Sequence, residues 1–378
     1  MPALVEKLRQ KAHAEHRVRI SAQSLGQEHR DILVRAINNV TSTEIALLTF
    51  AQIIDGLPIA DVAFDKRSTG LWDGHPVDEH EELCPGVMEK AREVCPQWKL
   101  DMMSFKPELI RDFGSATPGS KVFANRLIEL VAVAIHQLGA LLFQLDFRMH
   151  QGDVDAAVQA SPPPGPSWIP EGSWAEPEPQ RPTLFYHTAY QFNDIYPEGA
   201  ADMVGYWVED RILGGVVVFE RKAEKVGQDG NKNPDPPNIY LHPCRRKVTS
   251  RVTQITDEQQ QSLIDFLLQS NPAPSSCPLP ILVGVKNRKR FDAEVSIVKH
   301  LVCRDAWERK PLTREEHSVY IRQAEGALDY PGEVAIMINT NIRAGNPLPE
   351  ELKRQILSGE LDDQLGPDKD RLDLDKML

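Results

Sequence analysis

Apolar residues recur at three- and four-residue spacing in DILVRAINNV (31–40) and STEIALLTFAQII (42–54), which predicts two helices, the second capped by Ser42 or Thr43. A longer apolar run, LIELVAVAIHQLGALLFQL (127–145), predicts a core helix that starts with Thr117 as cap and Pro118 at its first position. Its length matches a membrane span, but Glu129, His136, Gln137 and Gln144 would each need water or a partner, so a soluble bundle is expected. Between these helices, residues 56–82 with GLWDGHPVDEHEE read as a long loop.

Past residue 150 the pattern changes. Residues 151–182 carry ASPPPGPSWIPEGSWAEPEPQRP without periodicity and read as a linker whose Trp168 and Trp174 lie along a domain face. From Thr183 the period approaches two: Val204, Tyr206 and Val208 alternate with Gly205, Trp207 and Glu209, and GVVVFER, NIYLH and KVTSRVTQI follow. This predicts an antiparallel meander, with KAEKVGQDGNKNPDPPN as a hairpin loop. Thr256 and Gln259 form a capping-box signature ahead of DEQQQSLIDFLLQ, and Thr313 with Glu316 forms another. PILVGV (280–285) reads as a buried strand, and the end of the chain is acidic and turn-rich. The expected organisation is therefore α+β: a helical domain (1–150), a Pro/Trp-rich linker (151–182), an antiparallel sheet packed with helices (183–345), and an acidic tail (346–378).

Composition narrows the function classes. The 378 residues include 41% hydrophobic and 26% charged residues, ordinary for a globular chain, and the net charge of -12 disfavours duplex nucleic acid and acidic membranes as general partners. The first residues mix apolar and basic positions like a surface helix, unlike a secretion signal. Five cysteines make no disulfide framework, which suits a reducing compartment: the cytosol, with the nucleus as the alternative.

At PGSKVFANRLIELVAVAIHQ, LFYHTAY, YPEGAADMVGYWVEDRILGGVVVFER and IYLHPCRRKVTSRVTQITDEQ the chain resembles a family of uncharacterised proteins from filamentous ascomycete fungi. The resemblance spans roughly residues 105 to 268. It implies a fungal intracellular protein and carries over no cofactor and no site residue.

No motif has diagnostic spacing. GSATPGSK (114–121) resembles a phosphate loop with its lysine one place late and no strand before it, so it reads as a helix entry. His75, Asp78, His80 and Cys84 offer metal-binding atoms at spacings that fit no zinc pattern, and His13 with His16 has no third ligand, so no metal is expected. Cys84-Pro85, Cys95-Pro96 and Cys277-Pro278 resemble haem-regulatory dipeptides, although helix starts place prolines the same way; no cofactor is expected. For acid–base chemistry the candidates are His187, Asp194, Tyr206 and His242, with Tyr196, Glu198, Asp202 and Glu209 nearby in sequence. Two basic runs, Arg245-Arg246-Lys247 and Lys286, Arg288, Lys289 and Arg290, could receive an acidic segment of a partner protein or of the tail. Gly214 and Gly215 are expected to turn the chain between strands, with a close approach of backbone to a ligand as the alternative.

The leading expectation is a non-enzymatic interaction protein acting through the basic runs and the acidic tail. The alternative is an enzyme on a small molecule, with a pocket formed by Tyr186, His187, Tyr206, Trp207 and His242.

Overall fold

The computed structural model describes residues 18–66, 71–72, 74–161, 181–221, 237–246, 248–284, 286–305, 308–309, 338 and 347–360. Both early helices form where the apolar period places them: α1 (Gln27–Thr41) and α2 (Glu44–Asp55), the latter capped by the Thr43 hydroxyl, which accepts from Ala46 N. The expected loop after them contains the short helix α3 (Ala60–Phe64) and a 3-10 turn at Pro76–Glu79. Two further helices follow, α4 (Val87–Val94) and α5 (Pro107–Ser115).

The long helix α6 (Lys121–Gln144) starts later than expected, because Ser120 and not Thr117 caps it, accepting from Phe123 N. Thr117 to Ser120 forms a turn instead, closed by Ser120 N donating to Thr117 O, with Gly119 at φ +83. The phosphate-loop resemblance is thus a turn and a cap. By length and mean hydropathy (1.7) α6 could cross a membrane, yet 72% of that apolar window is buried inside the protein. Residues of the expected linker form helix α7 (Val154–Gln159); Trp168 and Trp174 lie outside the described residues.

The largest departure from expectation is at 200–213. The Val204/Tyr206/Val208 alternation predicted a strand, but Ala200–Leu213 is helix α8, ended by Gly214 in the left-handed conformation. Twelve of its fourteen residues are buried, so neither face is marked as solvent-facing and the apolar pattern has no helical period to show.

After α8 come β1 (Val216–Glu220), β2 (Ile239–His242) and β3 (Val252–Gln254), then α9 (Asp257–Leu268) with both halves of the Thr256/Gln259 capping box formed. Next are β4 (Arg290–Phe291), α10 (Ala293–Val298), β5 (Val302–Cys303) and α11 (Glu350–Ser358). The strands pair antiparallel in the order β4-β3-β2-β1-β5. Residues 280–284 join no ladder, although Ile281 and Val283 are buried and Ile281 N donates to Leu213 O. The helix expected from Thr313 lies outside the described residues, as do residues 361–378, while 350–358 is helical within the segment read as a tail.

The fold is α+β, with both sheet faces covered, which explains the unbroken VVVF of β1. Val217, Phe219, Ile239 and Leu241 face the helices, and Val216, Val218 and Tyr240 face a cluster containing Tyr186, Tyr190 and Tyr206. The helix-facing core runs without a break from Ala22 to Val283, so the residues before and after the Pro/Trp-rich segment share one interior. Polar contacts also join them: the Asn39 amide on α1 donates to Phe266 O, Leu267 O and Gln269 O at the end of α9.

Candidate ligand-binding cleft

Asp202, Tyr206 and Glu209 stand four and three residues apart on α8, which puts all three on one helical face. That face meets His136 on α6. The helices approach closely because each is small at the crossing: a Cβ on Gly205 would lie 2.6 Å from His136 Nε2, and one on Gly139 would lie 2.6 Å from Val208 Cγ2. His136 fits beneath Gly205 and has both ring nitrogens within hydrogen-bond distance of carboxylates. Nε2 lies 3.0 Å from Asp202 Oδ1 and Nδ1 lies 2.9 Å from Glu209 Oε1. Burial alone would lower its pKa, but the two carboxylates outweigh it and raise the pKa above the ordinary 6.5. Since a carboxylate only accepts, the arrangement suits an imidazolium donating on both sides.

Arg304, just past β5, donates from one guanidinium nitrogen to both Glu209 oxygens at 2.7 and 2.8 Å. Its neighbour Asp305 pairs with Lys106, and Lys106 with Arg304 holds that carboxyl well below the usual range against the effect of burial. Glu308 accepts from the backbone N–H groups of Arg304 and Asp305, which fixes the turn that presents them. A buried network of alternating charge therefore connects α6, α8 and the chain after β5.

This network forms the floor of a cleft of about 810 Å³, lined by Arg19, Gln137, Gln144, Glu198, Asp202 and Arg304, with the ring of Tyr206 beside His136 at 4.6 Å. Gln137 is held by Ser104, donating to its carbonyl and accepting from its N–H. At the rim the Gln144 amide donates to Glu198 Oε2 at 3.2 Å.

The sequence-predicted residues are placed differently. His187 and His242 do come together, with ring centroids 5.0 Å apart, His187 Nε2 at 2.9 Å from His242 O, and His242 Nδ1 at 3.2 Å from the Tyr190 hydroxyl. Both are buried, as are Tyr186, Tyr206 and Trp207, and burial lowers both imidazole pKa values. His187, His242, Tyr186 and Trp207 are interior side chains that do not line the cleft. Of the four acid–base candidates, Tyr206 alone reaches the cleft, and Asp194 is exposed on the turn 193–195.

Arg245 is buried and not part of an exposed patch: its guanidinium donates to Asp210 O and Arg211 O at the end of α8. Helix carbonyls left over at that end are a natural site for a cation. Arg246 is exposed, with its backbone N–H on Asp65 Oδ1, and Lys247 lies outside the described residues. In the second run Lys286 and Arg288 are exposed, and Lys289 sits 3.7 Å from Glu220 and over the ring of Tyr240. Arg290 pairs with Thr253 in the sheet. Arg245 lies beyond the last residue of β2, whereas Lys289 packs over Tyr240 near its first. Of the four residues in the metal reading, His75 and Asp78 accept from Val77 N and Gly74 N and serve the local turns, whereas His80 and Cys84 face Asp55 and His150. His13 and His16 are outside the described residues. Among the Cys-Pro cysteines, burial pushes the Cys95 thiol up to about 12, away from the thiolate a haem iron needs.

Lys66 is a buried group that sequence reading missed. Its ammonium donates to Leu184 O at 2.9 Å and lies 3.8 Å from the centre of the Tyr186 ring. Desolvation, with Arg211 and Arg181 adding repulsion, lowers its pKa from 10.5 to about 7. The folded state therefore binds fewer protons than the unfolded chain between about pH 7 and 10.5, so the penalty is full below pH 7 and fades as pH rises. A shift of that size corresponds to roughly 5 kcal/mol, part of which the hydrogen bond and ring contact offset. Lys66→Met is expected to raise stability by about 1–3 kcal/mol at pH 6.5 and by little at pH 10. Urea denaturation of both proteins at the two pH values checks this; an equal effect at both would remove titration as the cause.

No protein-family model, curated protein or solved structure matches the chain. The fold and the cleft thus define it by themselves, as an α+β protein with a charged cleft over a buried ion network.

Proposed function

We propose that the protein binds a small polar solute carrying both an anionic and a cationic group, held in the cleft over α6 and α8, and does not transform it. The reading is supported by one observation above the others. His136, the imidazole at the cleft floor, has both nitrogens engaged by Asp202 and Glu209. A general base needs a lone pair within reach of the substrate, and a general acid a proton it can release; this imidazole is committed on both sides. What the floor supplies is a fixed field. Guanidinium groups at Arg19 and Arg304 and carboxylates at Glu198 and Asp202 give that field two signs, and about 810 Å³ suits a small molecule. The non-enzymatic expectation is kept, with a small solute in place of a protein partner.

The test is a thermal-shift screen of zwitterionic metabolites, with Gln144→Trp as the blocked variant. Gln144 is exposed, so a bulky ring there fills the rim without entering the core. A solute at about 100 times its Kd is expected to stabilise the protein by about 2.7 kcal/mol, and the shift should vanish in the variant. No shift with any solute, a shift unchanged in Gln144→Trp, or a new product seen by mass spectrometry would each reject the reading.

A further inference from the structure

We infer that Asp55, His80, Cys84 and His150 form a zinc site, separate from the cleft and independent of what it binds. The four donors come from three places: the last residue of α2, the segment after the 3-10 turn 76–79, and the chain between α6 and α7. Their ligand atoms all lie within 4.8 Å of one another. His80 Nε2 is 3.1 Å from Asp55 Oδ2, Cys84 Sγ is 3.4 Å from His150 Nδ1, and His150 Nδ1 is 3.5 Å from Asp55 Oδ1. Zinc with bonds of about 2.0–2.3 Å to nitrogen, oxygen and sulfur spaces its tetrahedral ligands roughly 3.3–3.8 Å apart.

Two details point to a cation between these groups. His80 Nδ1 lies 3.0 Å from Pro58 O, and a carbonyl only accepts, so the proton of that nitrogen is fixed and Nε2 turns towards the Asp55 carboxylate. A neutral imidazole would present a lone pair to an anionic oxygen there, so Nε2 holds either a proton or a metal ion, and a histidine anchored through its second nitrogen to a carbonyl is the arrangement metal ligands adopt. Asp55 Oδ1, on a residue with no exposed surface, has no hydrogen-bond partner among the described residues and is turned to the same centre.

The supporting backbone is also built for this geometry. Met149 N and His150 N donate to Ile54 O and Asp55 O, and Cys84 N donates to Asp55 Oδ2, so each ligand is tied to the end of α2. Cys84 and His150 are partly exposed, which gives an ion a way in. One thiolate, two imidazoles and one carboxylate suit zinc over magnesium or calcium, and four protein ligands leave no open position, so the site is structural.

The test measures metal in the full-length chain purified from zinc-supplemented cells, beside Cys84→Ser and His150→Ala. About one zinc per chain is expected, retained through dialysis, and each variant should bind zinc at least about tenfold more weakly in chelator competition. Cobalt in place of zinc should give a thiolate charge-transfer band in the wild type that Cys84→Ser loses. Should a variant misfold, the wild-type cobalt spectrum decides alone: a tetrahedral spectrum with a thiolate band supports the site. A wild-type chain that neither retains zinc nor binds cobalt overturns the inference, as does zinc that stays bound undiminished in both variants.

Discussion

Glu209→Ala is expected to destabilise the protein by about 3–5 kcal/mol, because it takes the anion out of a buried network and leaves its cations behind. Glu209 has no exposed surface; it receives both contacts from Arg304, the contact from His136 Nδ1, and the backbone N–H of Val217 through Oε2 at 3.2 Å. Without it, Arg304 and the protonated His136 face each other across a cavity, and the Val217 N–H near the start of β1 loses an acceptor. The raised pKa of His136 gives the network a pH dependence as well. A group whose folded pKa exceeds its unfolded value stabilises fully below that unfolded value, about 6.5, and the contribution is lost as pH rises through the folded pKa. In Glu209→Ala that loss should shrink, since one of the two carboxylates that raise the pKa is gone. Removing charges together is a different experiment: Glu209→Leu with Arg304→Met should recover part of the deficit, as hydrophobic replacements of buried ion pairs do. Urea denaturation at pH 6 and 8 measures all three proteins. A loss below about 1 kcal/mol for Glu209→Ala would mean that water reaches the network and screens it.

How much of this was legible in the sequence depends on how local each signal is. The helices at 27–41, 44–55 and 257–268 carry apolar stripes, and the last two also carry side-chain caps, within a single turn or two, so reading them needs no knowledge of partners. The strands β1, β2 and β3 were legible because β-branched and aromatic residues concentrate there. Helix α8 was not, since burial on every side removes the polar stripe that marks a helix, and Val204, Tyr206 and Val208 then look like alternation. The cleft was illegible for another reason. His136 is 73 residues from Glu209, and Glu209 is 95 from Arg304, so no spacing could announce them. His136 did stand out as a polar residue in an apolar run, a signal that a buried partner was waiting. The same holds for the proposed metal ligands: His80 and Cys84 are near neighbours, whereas Asp55 and His150 meet them only once α2 and the end of α6 are packed.

Gly214→Ala is expected to cost about 2–4 kcal/mol, and Gly215→Ala markedly less. Gly214 ends α8 at φ +99, where its N–H donates to Asp210 O, and an L-residue in that conformation is already strained. Space decides the rest. A Cβ there would be driven into the Ile281 carbonyl oxygen and would lie 2.8 Å from the carbonyl carbon and the nitrogen of the same residue. Ile281 cannot give way cheaply, because its N–H donates to Leu213 O at 3.0 Å and its side chain is buried in the core. At Gly215 φ is not positive, and the added carbon would meet His242 C and Leu241 Cβ at 3.0 Å, a contact that a shift of a few tenths of an ångström relieves. Gly214 is thus faced by the protein's own backbone, so its glycine serves the helix end and the passage of residues 280–284 beneath it. The function of turning the chain was foreseen; its place at a helix C-terminus instead of between two strands was not. Equilibrium unfolding of the two variants at neutral pH distinguishes them, and a Gly214→Ala protein no less stable than Gly215→Ala would show that the 280–284 segment moves aside.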